Sequence, residues 1–284
     1  MKHNINVTIL LVSMFFIAQL IGLYVTDYYL VKELPLGIER PQFNPQTSYI
    51  PVFAIILVAT LIAVIIAMLR FVRLWKFWFF LSVIFVLSIS LSAFFNQYLA
   101  VVISIIVGYF KIIKPNIYIH NLSELFLYGG LSAMFVPVFN VFSVSILLLL
   151  IMGYDAIAVW KTKHMVKLAK FQSESKFFAG FLIPYNHFKK SVSGKEKSIW
   201  KKIFVNTSAP KRFALLGGGD IGFTLLFAGV IFAKYGLISL IIPVMASLGL
   251  LLLLILGNKN KFYPAMPFLG ASCFIGYGLL LLLI

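Results

Sequence analysis

The sequence predicts an all-α polytopic membrane protein with nine transmembrane helices, and three observations carry that expectation. Hydrophobic residues make up 62% of the 284 and charged residues only 11%, against roughly 25% charged in soluble domains, and the mean hydropathy is +1.02. The apolar residues gather in runs of about 17–25, the length that crosses a bilayer. The basic residues gather between those runs.

The spans fall near 5–25, 49–69, 77–95, 97–113, 122–138, 141–160, 212–232, 235–256 and 262–283. The first follows Lys2 but is too long for a signal-peptide core and lacks a small-residue cleavage site before Asp27, so it reads as a spanning helix. With the N-terminus in the cytoplasm, Lys2, Arg70, Arg73, Lys76, Lys111, Lys114, the thirteen basic residues from Lys161 to Arg212, Lys259 and Lys261 lie inside; only Lys32, Arg40 and Lys234 lie outside. That bias sets the N-terminus cytoplasmic and the C-terminus outside.

The net charge of +16 therefore reports topology, with the lipid bilayer as the partner and no nucleic acid. The chain is expected to be one membrane-embedded domain, 1–284, in the cell membrane if the source is prokaryotic. The lone Cys273 rules out an intrachain disulfide or a cysteine-based metal site.

The outside loop near 26–48 holds Asp27, Glu33 and Glu39 with Pro35, Pro41 and Pro45, which suits an irregular solvated connection. The loop 161–211 between helices six and seven is basic and cytoplasmic, but contains an apolar island from Phe177 to Tyr185. Such an island rests on the membrane interface or on the protein itself; a lid facing substrate is the alternative.

Of eight acidic residues, only Glu124, Asp155 and Asp220 are near apolar spans. Glu124 reads as the N3 residue of a capping box begun by Asn121. Asp155 and Asp220 have no Lys or Arg within their spans beyond the boundary residue Arg212, and an ionisable group in the bilayer marks function by default. Asp155 precedes Lys161 by six residues and Asp220 follows Arg212 by eight. At about 1.5 Å per helical residue, both acids come to lie about 9–12 Å from the cytoplasmic face.

Two carboxyls meeting in a low dielectric do not readily ionise together, so they hold one proton between them and titrate as a unit. The ionised member can take a proton from attacking water while the protonated member donates to a peptide carbonyl. That is peptide hydrolysis without metal, cofactor or covalent intermediate.

Gly217, Gly218 and Gly219 precede Asp220. They either let an extended substrate approach and pair with main chain, or serve as small residues for helix packing. In "YPAMP", Pro264 and Pro267 loosen the start of the last helix near the same face, although a proline at a helix start is also routine.

Together, Tyr154-Asp155 in helix six, Gly217-Gly218-Gly219-Asp220 in helix seven and Pro264-Ala265-Met266 in helix nine resemble the "YD", "GxGD" and "PAL" motifs of the presenilin and signal-peptide-peptidase family of intramembrane aspartyl proteases. Order, spacing and helix number all agree across the chain. The wider strings "YDAIAVWKTKHMVKLA" and "PAMP" look closer to presenilin and its compact archaeal relatives than to eukaryotic signal peptide peptidases. The resemblance implies that Asp155 and Asp220 are the catalytic pair. It also implies that Tyr154, Gly217, Gly218, Gly219, Pro264, Ala265 and Met266 line the substrate cleft, and that single-span membrane proteins or signal peptides are the substrates. Met266 stands where the family has leucine, a volume-conserving change that bears on substrate preference. Slow turnover is expected, obligatory self-cleavage is not, and homo-oligomerisation stays open.

Other proteases fit poorly. His3, His120, His164 and His187 form no HExxH motif and are expected in loops, away from any serine at membrane depth. Prepilin-type peptidases share GxGD, but resemble a pattern with a basic residue where this chain has Gly222. The alternative of a different class is a proton- or cation-coupled transporter that uses the same aspartates as ion ligands, which would be expected to show internal repeats.

Overall fold

The computed structural model describes residues 5–69, 71–161, 178–184, 213–257 and 263–284. Of the expected cytoplasmic loop, only Lys161 and 178–184 are among them. Phe177, Tyr185, His164, His187 and most of its basic residues lie outside the described residues, as do His3, Arg70, Lys259 and Lys261.

Nine α-helices are seen among the described residues: α1 (Ile5–Val31), α2 (Tyr49–Met68), α3 (Val72–Ser92), α4 (Gln97–Gly108), α5 (Ile117–Phe135), α6 (Val141–Trp160), α7 (Gly218–Tyr235), α8 (Ile241–Leu256) and α9 (Met266–Leu283). Six stretches are long and apolar enough to cross a membrane, and one of them, Gly218–Leu256, contains both α7 and α8 joined by a 3-10 turn. Helix α4 is shorter and runs into a π-helical turn, Tyr109–Ile113. The polar side chains of α5 keep it out of the apolar set.

The chain is not wholly helical. Strand β1 (Gly180–Pro184) pairs antiparallel with β2 (Phe213–Gly217), Gly180 opposite Gly217 and Pro184 opposite Phe213. Helix α7 therefore starts at Gly218, not near 212. "FALLG" is apolar throughout, so its sequence does not distinguish a strand from the first turns of a helix.

Local capping explains several boundaries. Asn140 and Ser143 form a reciprocal capping box at the start of α6. Asn96 caps α4 by accepting from the Tyr98 amide, and Asn116 caps α5 by accepting from Tyr118. The cap of α5 is thus Asn116 and not Asn121, so Glu124 sits mid-helix instead of at N3.

Helix α1 is central and packs on α5, α7 and α8. Close approach there uses small residues, as expected where burial against lipid gives no hydrophobic gain. Gly22 faces Leu225 of α7, and Gly129 of α5 faces Val25 of α1. Helix α2 lies at the edge against α6 and α3, with most of its apolar side chains turned outward. Helix α6 packs on both α7 and α9, which brings the three motif-bearing helices together.

Asn140→Ala removes the cap that holds Ser143 and the start of α6. A loss of about 1 kcal/mol is expected, read as a lower midpoint of thermal unfolding in detergent.

Candidate active site

The sequence makes the start of α9 short of hydrogen bonds. A helix leaves its first amides without partners in the helix itself, and Pro267 has no N–H to offer. Phe268 and Leu269 both donate to the Ala265 carbonyl. The Met266 amide points elsewhere and donates to Asp155 Oδ2 at 3.0 Å. Asp155, 7% exposed on α6, thus caps α9 from a neighbouring helix, with its carboxyl at the positive end of the α9 dipole. Pro264 and Met266 are buried, and Ala265 and Tyr154 are half-buried.

Asp220 is reached differently. Gly217 precedes α7 with extended backbone, and Asp220 lies in the first turn of the helix, half-buried. Its carboxyl folds back over Gly217, where a β-carbon would meet Oδ2 at 3.2 Å. The expected distance of about 12 Å of helix from Arg212 does not hold, because 213–217 is strand. The Gly218 amide, also orphaned by its position, donates to the Ala179 carbonyl at 3.0 Å. Each acid therefore sits at a helix start that is capped by a distant part of the chain.

The three glycines are not equivalent. A β-carbon at Gly218 would lie 2.6 Å from the Tyr128 hydroxyl, so the ring of Tyr128 requires glycine there. Gly219 is exposed, and its nearest neighbour would be Phe223 at 3.7 Å.

Several residues near this site were not anticipated from sequence. Lys111, expected in a cytoplasmic loop, is buried and pairs with Glu124 at 2.6 Å, both side chains 1% exposed. Glu124 also accepts from the Tyr128 hydroxyl. His120 lies on α5 instead of in a loop, with Nε2 donating to the Gly180 carbonyl at 2.9 Å. Asn121 clasps Leu182 with both ends of its amide: Nδ2 donates to the Leu182 carbonyl (2.9 Å) and Oδ1 accepts from the Leu182 amide (3.0 Å). The apolar island rests on the protein through 178–184, with Phe181 fully buried. A signal was present in the sequence: 120, 121, 124 and 128 recur at intervals that share one face of a helix.

A profile of the family described as "Signal-peptide peptidase, presenilin aspartyl protease" matches residues 12–284. No curated protein matches the chain. Two solved structures share its fold, each described as the structure of a presenilin family intramembrane aspartate protease, in the C222 and P2 space groups. At 18% identity in both cases, they superpose with TM-scores of 0.65 and 0.64, covering 98% and 96% of this chain and 99% and 97% of theirs. The chain belongs to the signal-peptide peptidase and presenilin family of intramembrane aspartyl proteases.

Gly218→Ala forces Tyr128 or the start of α7 to move, an overpacking cost of about 1–3 kcal/mol. Gly219→Ala meets no obstacle and favours helix by up to about 1 kcal/mol. Thermal unfolding of the two variants in detergent is expected to separate them, with Gly218→Ala the less stable.

Proposed function

We propose that the chain cuts peptide bonds of transmembrane segments by attack of water, with Asp155 and Asp220 as general base and general acid. The observation that carries this reading is the Met266–Asp155 bond, which unites two of the three motifs through an atom with chemical purpose. A carboxyl whose one oxygen is held by an amide keeps a fixed direction, and direction is what a general acid or base needs. The packing of α6 against α7 supports a shared site for the two acids. They hold one proton between them, so each can exchange acid and base roles during water attack and amine departure.

A helical substrate hides its peptide bonds, so it must be extended before it is cut. The sheet suits this. On β1, the groups at Gly180 and Leu182 that point away from β2 are engaged by His120 and Asn121. By the alternation of an antiparallel ladder, the outward groups of β2 are those of Leu215 and Gly217, on the opposite edge. An unwound substrate strand adding at that edge runs toward Asp220. Tyr154, Gly217, Gly218, Gly219 and the Pro264–Met266 segment form the cleft walls in this reading. Substrates are single-span membrane proteins or signal peptides. The domain comprises 1–284 with nine spans and its N-terminus cytoplasmic, and its membrane is the cell membrane if the source is prokaryotic.

Purified protein with a single-span peptide in detergent is expected to yield two products. Asp155→Asn or Asp220→Asn alone should reduce cutting by about 10²-fold or more. Intact cutting by either variant, or ion-dependent uptake into vesicles with no cutting, contradicts the reading. Leu215→Pro removes an outward amide of β2 and should lower kcat/KM for an unwound substrate about tenfold, the value of one lost hydrogen bond of about 1.4 kcal/mol, measured by product formation at low substrate.

A further inference from the structure

Helix α5 carries a polar face of His120, Asn121, Ser123, Glu124 and Tyr128, met by Lys111 from the π-helical turn after α4. Lys111 donates to Glu124 at 2.6 Å and to Ser123 Oγ at 2.8 Å, and Ser123 donates to the His120 carbonyl at 2.7 Å. Glu124 accepts from Tyr128, whose hydroxyl abuts Gly218 and whose ring reaches Gly222 one turn further along α7. His120 and Asn121 hold β1, and the residue before β1, Ala179, accepts the first amide of α7.

Two routes therefore pass through α5 and end at the same turn of α7. One runs through side chains, Lys111 to Glu124 to Tyr128 to Gly218; the other runs through main chain, His120 and Asn121 to β1 to Ala179 to Gly218. Asp220 is two residues beyond their meeting point. A buried ion pair is a poor source of net stability, since apolar residues of like volume serve as well or better. Its value here is geometric: Glu124 is held by Lys111 so that it accepts from Tyr128 in one direction, and Tyr128 then fixes how close α7 can come. The φ of 132° at Gly180, where a β-carbon would strike the Leu216 carbonyl, shows how tightly the second route is drawn.

We infer that Lys111, Glu124 and Tyr128, with His120 and Asn121, are positioning residues that set the first turn of α7 and so the direction of the Asp220 carboxyl. This rests on the assignment of Asp220 to the reaction. None of the five is assigned an acid or base step in the proposed reaction.

The test uses the full chain in detergent with three variants. Tyr128→Phe keeps the ring and loses the hydroxyl. Lys111→Met with Glu124→Leu removes the pair and the acceptor. Lys111→Met with Glu124→Gln removes the charges but keeps an acceptor for Tyr128. Amide hydrogen exchange at Gly219–Ile221, read without substrate, is expected to rise about tenfold in the first two and about threefold in the third, where an acceptor remains but Lys111 no longer holds it, while α8 is unchanged. In the peptide assay, kcat is expected to fall about tenfold with KM little altered in the first two, and about threefold in the third, as befits a small misplacement of a reacting group. Wild-type exchange and kcat in Tyr128→Phe overturn the inference. So does a rise in exchange spread evenly through α8, which marks a merely stabilising pair. If the wild-type protein cuts no peptide, the protease assignment fails on its own, and the exchange pattern still decides whether this network sets α7.

Discussion

A main-chain amide inside an apolar bundle has no water to fall back on, so it must find a partner within the protein. At the start of α9 this constraint is acute, because Pro267 donates nothing and Met266 has no acceptor behind it in its own helix. Asp155 supplies the acceptor from α6. One bond thereby fixes the relative position of two helices and the orientation of a carboxyl. It also gives the Pro264–Met266 segment a structural reason to exist that is independent of any substrate. A matching solution is found at α7, where the Gly218 amide reaches the Ala179 carbonyl. Helix α7 is entered from the extended chain of β2, and extended chain at membrane depth is tolerated only where protein covers it or where it lines a cavity. The small sheet and the polar face of α5 provide that cover.

The site follows from these two helix starts. Each acid lies where amides point in one direction and a local positive potential favours negative charge, yet each is secured by a different device. Asp155 is gripped directly by main chain, whereas Asp220 depends on how α7 is seated against Tyr128 and β1. Helices α6, α7 and α9, which carry the three motifs, pack on one another, in a chain that belongs to an intramembrane aspartyl protease family.

Much of this was legible in the sequence. The apolar run over 141–160, closed by Lys161, marks α6 in the sequence, and the helix begins at Val141 and ends at Trp160. The YD, GGGD and PAM segments were visible because polar, glycine and proline residues interrupt hydrophobic runs. What escaped was long-range. The β2 strand looks like helix until its partner, some thirty residues upstream, is known. Asn121 resembles a cap by residue type, but its amide is spent on Leu182 and the helix has already begun at Ile117. Lys111 resembles a topology signal, but Glu124, thirteen residues away, draws it inward. In each case a side chain with an ordinary local reading is claimed by a partner that only the tertiary fold brings near.

The central claim is that Asp155 and Asp220 act on one bond. The most direct measurement is an experimental structure with a bound peptide in which a hydroxyl-bearing isostere replaces the bond to be cut. The account predicts that hydroxyl within about 2.6–3.2 Å of both carboxyls, with the Met266 amide still on Asp155. A peptide bound with its hydroxyl away from either acid, while the protein remains competent to cut, would contradict it.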